Sequence, residues 1–332
     1  HGNIVANVEQ MMAAMETLLE AGKERVATPL PLYHIFSLTV NCMGFLKIGS
    51  ENILITNPKD LESFEKDLEK YRPTVLTGVN TLFNALANRE SFKKMDHSQL
   101  KISVGGGMAV QRAVSDRWKE ITGNAICEGY GLTESSPVLS VNPLDGTGKI
   151  GSIGLPVPNT EIKIVDDAGD EVPLGEPGEL LAKGPQIMKE YWNRPQATSD
   201  VLADGGWLKT GDVAVMDSEG YFRIVDRKKE MILVSGFNVY PNEIEDVLAK
   251  HPKVLEVACI GVPDDQSGEA VKVFVVPREK GLTEGELRDF CKEHFTGYKK
   301  PKYFEFREDL PKTNVGKVLR RVLREQEGTG QA

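Results

Sequence analysis

The sequence predicts an α/β and α+β multidomain protein, and three observations lead to this prediction. The chain has 332 residues, which is more than one typical domain holds. Short apolar runs alternate with amphipathic stretches up to about residue 142, as in a parallel sheet covered by helices. From residue 143 onward, Pro and Gly interrupt short β-like runs. We therefore expect a partial α/β parallel-sheet lobe, a small β-barrel-like subdomain and a C-terminal α+β domain.

The first predicted unit, residues 1–142, is the partial α/β lobe of a larger N-terminal domain. It opens on a helical pattern of apolar residues that begins at Ile4. Apolar runs predict strands near 25–28, 52–55, 74–77, 101–104 and 125–128. Amphipathic periodicity predicts helices over 37–47, 60–71, 80–90 and 110–122. Because strands and helices alternate, we expect the sheet to be mostly parallel.

The second and third units differ from the first in their turn signals. Residues 143–226 are β-rich, and their closely spaced Gly and Pro fit either a small β-barrel or a distorted sheet. Residues 227–327 are predicted to form a mobile α+β domain, and residues 328–332 a disordered tail. The elements predicted for this domain are strands at Met231–Val234, Val254–Gly261, Val271–Val276 and Tyr303–Phe306, and helices from Pro241 and over Thr283–Phe295.

The composition excludes several classes of protein. A hydrophobic fraction of 40% and a charged fraction of 27% are ordinary for a soluble protein, and no apolar run approaches the ~20 residues that span a bilayer. A net charge of −9 argues against a general nucleic-acid binder. The four cysteines form no CxxC pair, and the five histidines suggest no zinc site. We therefore expect a cytoplasmic protein with reduced thiols.

A run of three glycines, Gly105, Gly106 and Gly107, follows a predicted strand that ends at Val104. Glycine permits positive φ, and it lets a flat ligand lie against bare backbone. A tight turn between a strand and a helix explains three glycines equally well. The motif is therefore only weak evidence for a binding site.

The run EGYGLTES carries side chains with complementary nucleotide-binding chemistry. Tyr130 offers a ring for stacking, and Thr133 offers a hydroxyl to a phosphate. Glu134 is a hard oxygen ligand suited to Mg²⁺, which proteins bind through one or two carboxylates together with substrate phosphates. A polar loop that caps a helix is the plainer interpretation. The combination of these residue types favours a functional one.

Two later runs add one carboxylate and two cations. Asp212 follows a Thr-Gly turn in WLKTGDVA, where it suits ribose hydroxyls, although an Asp that satisfies its own turn is more common. Arg227 supplies a fixed cation with a fork of donors. Lys317 follows a Gly in LPKTNVGKVLRR and can reach a phosphate or a reacting carboxylate, although a single lysine is usually solvated.

Together and in this order, these runs resemble the signature blocks of the AMP-forming acyl-CoA synthetases, which belong to the adenylate-forming superfamily with the luciferases and peptide-synthetase adenylation domains. The resemblance covers essentially the whole chain. Its blocks are PLPLYHIFSL, SVGGGMAV, EGYGLTES, WLKTGDVA, DRKKEMILVSGFNVYPNEIE and LPKTNVGKVLRR. The long blocks are particularly similar to those of bacterial long-chain fatty-acid–CoA ligases.

The resemblance implies a reaction in two steps. A fatty carboxylate attacks the α-phosphate of ATP and gives an acyl-adenylate and pyrophosphate. The thiol of coenzyme A then attacks the acyl carbonyl and releases AMP. The implied cofactors and co-substrates are therefore ATP, Mg²⁺ and coenzyme A, with a fatty acid as the substrate. The first step needs charge neutralisation around the phosphates.

The resemblance also implies roles for the residues of the first unit. Thr133 and Glu134 would hold phosphate and Mg²⁺. The residues expected to contact the adenine or the acyl group are Gly105, Gly106, Gly107, Tyr130 and Gly131. His34, in PLYHIF, matches an aromatic position beside the acyl site, and a packed loop histidine is the alternative.

In the third unit and the run before it, the resemblance implies a second set of roles. Asp212 and Arg227 would hold the ribose, and Lys317 would stabilise the transition state of adenylation. Lys229 matches a hinge about which the small domain rotates between the two steps. A loop of three residues would then help to form the tunnel for pantetheine: Ser235, Gly236 and Phe237.

One block of the family has no counterpart in the chain. The Thr/Ser/Gly-rich, lysine-ended loop that wraps the β- and γ-phosphates of ATP normally lies just upstream of the sequence that resembles HGNIVANV, where this chain begins. We therefore expect a C-terminal fragment that adenylates poorly by itself. The lobe would also expose a sheet edge or an apolar face, which favours aggregation, a homodimer or poor order.

Several functional alternatives stay open at this point. Within the superfamily, the runner-up is a CoA ligase for an aryl or medium-chain acid. From another class, the chain could be a non-catalytic module that binds nucleotide. A P-loop kinase is disfavoured because no GxxxxGK[ST] occurs. Since long-chain acids partition into bilayers, peripheral contact with the inner face of the cytoplasmic membrane is also an expectation.

Overall fold

The computed structural model describes residues 1–144, 147–314 and 316–328, and it divides the chain into two compact units. Unit 1 comprises His1–Thr210 and Ala214–Ile224, and unit 2 comprises Gly211–Val213 and Val225–Ala332. The three-part division with boundaries after residues 142 and 226 stays a prediction. The expected disordered tail, 328–332, lies outside the described residues except for Gly328.

Unit 1 contains a seven-stranded sheet with the strand order β2-β1-β3-β4-β5-β6-β7. Its first five strands in this order are parallel, and β6 and β7 are antiparallel to their neighbours. The strands are β1 (Arg25–Thr28), β2 (Glu51–Leu54), β3 (Val75–Gly78), β4 (Ile102–Gly105), β5 (Ile126–Gly131), β6 (Val138–Val141) and β7 (Leu155–Pro156). The parallel sheet expected from the alternating pattern is confirmed.

The helices of this part pack against the sheet around a continuous apolar core that includes Phe83 and Trp118. They are α1 (Gly2–Met15), α2 (Phe45–Lys47), α3 (Leu61–Tyr71), α4 (Asn80–Ala87), α5 (Glu90–Lys93) and α6 (Arg112–Thr122). Asp60 caps α3 by accepting a hydrogen bond from the Ser63 N–H.

One predicted helix differs in kind from the expectation. Most of the stretch predicted as a helix over 37–47 is a π-helix, Phe36–Gly44, followed by the single turn of α2. From it, the Asn41 side chain donates hydrogen bonds to the Thr28 and Thr77 hydroxyls, at 3.0 and 2.8 Å. Hydrophobic periodicity does not separate α from π winding over so short a stretch, and π-helical segments are rare and frequently lie near functional sites.

The β-rich part of the chain has a sheet with the strand order β10-β11-β9-β8, in which β12 also pairs with β11, and its pairs β10–β11 and β8–β9 are antiparallel. Of the two forms that the turn signals allowed, the structure thus has the sheet. Its strands are β8 (Glu161–Val165), β9 (Gly178–Lys183), β10 (Leu202–Ala203), β11 (Trp207–Met216) and β12 (Phe222–Arg227), with helix α7 (Pro195–Val201) before β10. Leu139, Leu180 and Leu208 are fully buried in its core.

Unit 2 is an α+β fold with a five-stranded sheet of order β14-β13-β16-β15, in which β17 pairs in parallel with β16. Two apolar cores stabilise the unit, one that includes Ile244 and one that includes Phe274. The strands are β13 (Ile232–Val234), β14 (Phe237–Val239), β15 (Val254–Asp264), β16 (Gly268–Pro277) and β17 (Tyr303–Phe306), and the helices are α8 (Pro241–Leu248), α9 (Glu284–His294) and α10 (Arg320–Gln326).

Local sequence signals set the ends of the unit 2 helices. Pro241 occupies the first turn of α8, where its missing N–H leaves no hydrogen bond unmade. Thr283 and Glu286 form a reciprocal capping box at the start of α9. Over the described residues of the whole chain, no helix combines the length and the hydropathy needed to cross a bilayer.

Candidate active site

The parallel strands of unit 1 bring several predicted site residues to one edge of the sheet. Strands β1, β3, β4 and β5 are successive neighbours, and all four run in the same direction. The loops that follow their carboxyl ends therefore meet at that edge, where ligands of open α/β sheets usually bind. These loops carry His34 after β1, the glycine run after β4, and Thr133 and Glu134 after β5.

The three glycines of the run differ in their surroundings and in their backbone conformation. A Cβ at Gly105 would lie 2.6 Å from Val110 Cγ2, so packing alone requires glycine there. A Cβ at Gly106 would lie 3.1 Å from the Phe36 ring, which places this backbone against the start of the π-helix, two residues after His34. Gly107 has a φ of +75°, in the left-handed region that favours glycine. The run therefore combines a packing requirement with a turn.

The EGYGLTES motif is held in place by a residue whose role the sequence did not reveal. Glu128 is buried, and its carboxylate accepts hydrogen bonds from the N–H groups of Val110 (3.2 Å) and Gly151 (2.8 Å). It thus ties β5 to the segment after the glycine run. Tyr130 is half-buried against the core of the β-rich part, and a Cβ at Gly131 would lie 1.8 Å from the Pro137 carbonyl oxygen.

Thr133 and Glu134 lie in a short 3₁₀ turn, Thr133–Ser135, directly after β5. Thr133 is exposed and Glu134 is half-buried. The Tyr191 hydroxyl donates a hydrogen bond of 2.6 Å to Oε1 of Glu134, and the Met188 N–H donates one of 2.7 Å to the Glu134 carbonyl oxygen. Burial and this hydrogen bond raise the pKa of Tyr191 to about 12. Tyr191 therefore stays a donor at neutral pH, and it fixes the carboxylate.

The donor set around Glu134 fits a magnesium ion that arrives with a nucleotide. Over the part of the chain that the structure describes, no group of three His, Cys, Asp or Glu side chains could hold a metal ion. Mg²⁺ does not require such a group, since one or two carboxylates and substrate phosphates commonly suffice. Glu134 and the exposed Thr133 hydroxyl are the side chains that would hold it, with Tyr191 orienting the carboxylate.

Unit 2 brings together Asp212, Arg227 and Lys317. Asp212 is almost fully buried, and its Oδ1 lies 3.2 Å from the Arg227 Nε. Lys317 is half-buried, and the charges that act on it include Arg227 and Asp212. Burial first, and then repulsion from Arg227, lower the pKa of the Lys317 ammonium. A carboxylate paired with an arginine can still accept hydrogen bonds from hydroxyls, while the two cations attract a phosphate.

The remaining predicted residues of unit 2 lie on its surface. Lys229 is exposed in a 3₁₀ turn, Lys228–Glu230, between β12 and β13. Ser235 and Gly236 have φ values of +52° and +84° in the turn between β13 and β14. Phe237 is 55% exposed, and its ring stacks on Tyr298 with centroids 4.6 Å apart. The structure therefore shows an aromatic pair where the sequence indicated only Phe237.

Comparison with known proteins decides the family. The model of the AMP-binding enzyme family matches residues 1–192, and the model of the AMP-binding enzyme C-terminal domain matches residues 243–317. The chain belongs to the AMP-binding enzyme family. The resemblance stated from the signature blocks is thereby confirmed, and so is the mixed α/β fold class.

Curated members of the AMP-binding enzyme family resemble the chain over nearly its full length. It is 59% identical over 326 residues to a long-chain-fatty-acid–CoA ligase of Escherichia coli O6:H1, and 42% identical over 330 residues to one of Bacillus subtilis. A feruloyl-CoA synthase of Amycolatopsis is 38% identical over 330 residues. These matches cover 98–99% of the chain, which spans 58% of each of the two long-chain ligases and 66% of the feruloyl-CoA synthase.

Solved structures of the family share this fold. ATP-bound MatB from Rhodopseudomonas palustris matches with a TM-score of 0.90 and 30% identity over 98% of the chain and 64% of MatB. The anthranilate CoA ligase AuaEII in complex with anthranoyl-AMP matches with a TM-score of 0.90 and 29% identity, over 98% of the chain and 63% of AuaEII.

Proposed function

We propose that the chain supplies catalytic residues of a long-chain fatty-acid–CoA ligase, which forms acyl-CoA, AMP and pyrophosphate from a fatty acid, ATP and coenzyme A through an acyl-adenylate. One observation carries the chemical part of the proposal: Asp212 pairs with Arg227 in unit 2, and Lys317 lies near enough for the charges of both to act on it. The identity of the acid rests on the names of the 56–59% identical relatives. Because the chain spans 58% of them, the whole reaction is a proposal.

In the adenylation step, the proposed work of the chain is to bind and to neutralise charge. Asp212 accepts hydrogen bonds from ribose hydroxyls, and Arg227 holds Asp212 in position. The Lys317 ammonium stabilises the negative charge that moves onto the α-phosphate region as the fatty carboxylate attacks. Mg²⁺, when bound, neutralises phosphate charge. Glu134 contributes a carboxylate oxygen to it, in the orientation that Tyr191 sets.

In the thioester step, the proposed contribution of unit 2 is a surface for the pantetheine arm. The turn of Ser235 and Gly236 exposes bare backbone, and the stacked pair of Phe237 and Tyr298 provides an apolar wall. A narrow, mostly apolar arm with two amide groups suits such a combination. Lys229 stays the proposed hinge, since it is exposed in a short turn between two strands.

Three further properties are proposed with this function. The location is the cytoplasm, with peripheral contact at the inner face of the membrane. A homodimer would cover exposed apolar side chains near the end strand β2, such as Leu46 and Leu54, each 55% exposed. Adenylation by the 332 residues alone is expected to be weak, because no part of them resembles the family's loop for the β- and γ-phosphates.

The test is exchange of pyrophosphate into ATP with palmitate, acetate and benzoate. The protein is a chimera that joins this chain to the part of the E. coli relative that the match leaves out, and the 332-residue chain is measured in parallel. Exchange with palmitate by the chimera alone supports the proposal. Exchange with benzoate alone would favour an aryl-acid ligase, for which the 38% identical feruloyl-CoA synthase is the relevant relative. Absence of exchange with every acid would leave a non-catalytic nucleotide-binding module.

A further inference from the structure

An arginine three residues after Lys317 lies in a buried cluster of charged side chains in unit 2. The Arg320 side chain is only 16% exposed, and it donates hydrogen bonds to both carboxylate oxygens of Glu245, each at 2.8 Å. It also donates to Asn242 Oδ1 at 2.7 Å, and its Nη1 lies 3.6 Å from Oδ1 of Asp226. One guanidinium thereby joins α8 and the end of β12.

The acidic partners of Arg320 are fixed in turn by the backbone. Glu245 Oε1 also accepts a hydrogen bond from the Cys259 N–H, at 2.8 Å. The Asp226 side chain is 1% exposed, and its two oxygens accept from the N–H groups of Arg227 (2.7 Å) and Asn242 (2.8 Å). Asp226 therefore holds the backbone of Arg227, which is a member of the proposed ribose site.

On its other side, Arg320 ends the hairpin that carries Lys317. The Thr313 N–H donates to the Lys317 carbonyl oxygen at 2.8 Å, and the Lys317 N–H donates to the Thr313 hydroxyl at 3.1 Å. One residue before Arg320, the Leu319 N–H donates to the Pro311 carbonyl oxygen at 2.8 Å. These three hydrogen bonds fix Lys317 and Leu319 to Thr313 and Pro311, so the anchoring of the segment at Arg320 bears on the position of Lys317.

We propose that Arg320, fixed by Glu245, is a positioning residue that holds Lys317 and Arg227 in a fixed position relative to each other. The geometry gives the reason: the Arg320 side chain contacts the carboxylate that holds the Arg227 backbone, and Arg320 itself begins α10 three residues after Lys317. An arginine fork suits this task because its donors have a fixed planar geometry, which a lysine ammonium lacks. The role assigned to Lys317 rests on the proposed function, whereas its placement does not.

The role proposed for Arg320 depends on the geometry of its guanidinium fork and not on its positive charge alone. The charged groups that act on Lys317 are Arg227, Asp212, Arg320 and Glu230, so a substitution at position 320 should preserve the positive charge. Arg320→Lys keeps that charge and removes the fork. A matched control exists one residue further along α10, where Arg321 has an 80% exposed side chain that pairs with Glu325.

The test measures the chemical reactivity of Lys317 in the full 332-residue chain without substrate, so that it is independent of any ligase activity. An acetylating reagent is applied across pH 7–11, and the modified Lys317 peptide is quantified by mass spectrometry. In Arg320→Lys, we expect the titration midpoint of Lys317 to move up towards that of an exposed lysine, because the side chain becomes hydrated. Its plateau rate should also rise, because a hydrated side chain is more accessible to the reagent and a more basic amine is the stronger nucleophile. Arg321→Lys should leave both quantities unchanged.

Hydrogen exchange in α9 separates positioning from general unfolding, because its buried Leu287 and Cys291 belong to the core of unit 2. A changed Lys317 profile with unchanged exchange in α9 supports the proposal. Glu245→Gln, which removes the acceptor charge and keeps Arg320, is the second variant and should change the Lys317 profile in the same sense. An unaltered Lys317 profile in both variants, or a changed profile in Arg320→Lys that accompanies faster exchange in α9, would overturn the proposal.

Discussion

The Tyr191 hydroxyl donates a 2.6 Å hydrogen bond to Oε1 of Glu134, and the two residues are 57 positions apart in the chain. The contact joins the segment after β9 to the turn after β5. One oxygen of the proposed magnesium ligand is thereby held by a neutral phenol whose pKa is about 12. Residues that orient metal ligands in this way commonly change metal affinity or activity about 10–100-fold when they are replaced.

Replacing Tyr191 by Phe should therefore raise the magnesium requirement of the chimera. We expect the Mg²⁺ concentration for half-maximal exchange to rise about tenfold, because the Glu134 carboxylate loses its orientation. Binding of Mn²⁺ in the presence of ATP, followed by electron paramagnetic resonance, should weaken in parallel. Trp192→Phe is the control, since Trp192 is adjacent and 85% exposed. Equal metal dependence in both variants would argue against this role for Tyr191.

Glu128 gives a prediction about stability. In Glu128→Gln, the amide can no longer accept strong hydrogen bonds from both the Val110 and the Gly151 N–H groups, so a buried donor loses its partner. We expect unit 1 to lose about 1–3 kcal/mol of unfolding free energy. Urea unfolding followed by tryptophan fluorescence reports on unit 1, which contains all three tryptophans. The exposed Glu120 supplies the control variant, Glu120→Gln, which should stay near the parent.

Should Glu128→Gln unfold at the same urea concentration as the parent chain, the two backbone hydrogen bonds would not contribute to stability. The role of Glu128 in holding β5 to the segment after the glycine run would then be wrong.

Glu245 gives a prediction about pH. Burial is the largest cause that raises the pKa of Glu245 to about 7, although Arg320 opposes it. The folded state therefore binds a proton that the unfolded state has released between pH 4.5 and about 7, so this group lowers the stability of unit 2 as pH rises through that window. The expected change is on the order of 1–3 kcal/mol.

Hydrogen exchange in α9, corrected for intrinsic rates, measures this dependence. Protection should fall from pH 5 to pH 7.5 in the parent, and Glu245→Gln should be less stable overall but should have a flatter dependence. A slope in Glu245→Gln equal to that of the parent would show that another group titrates there.

The sequence predicted the strands and helices well where local patterns decide them. The parallel strands are apolar runs, and α9 has a capping box that can be read directly. The winding of Phe36–Gly44 was not predictable, because periodicity over nine residues does not distinguish π from α. The contacts Tyr191–Glu134 and Arg320–Glu245, 57 and 75 positions apart, carry no local signal, since tertiary packing alone brings them together.

Some features of the candidate site could likewise be predicted from the sequence, and others could not. The motifs indicated which side chains have suitable chemistry, including Asp212, Arg227 and Lys317. They did not indicate that Gly105 and Gly131 are required by packing, since that depends on Val110 and on the Pro137 carbonyl. A glycine in a signature block thus has a structural explanation even where its neighbours serve a ligand.

The most direct measurement is pyrophosphate exchange with palmitate by the chimera carrying Lys317→Ala, compared with Lys280→Ala, in which an exposed lysine of unit 2 is removed. We expect Lys317→Ala to lose about 10²–10³-fold in exchange rate, as for removal of one preorganised charge-stabilising donor, while Lys280→Ala keeps the parent rate. We also expect Lys317→Ala to convert supplied palmitoyl-adenylate and coenzyme A to the thioester. Exchange by Lys317→Ala at the rate of Lys280→Ala would rule out the role proposed for Lys317 in adenylation.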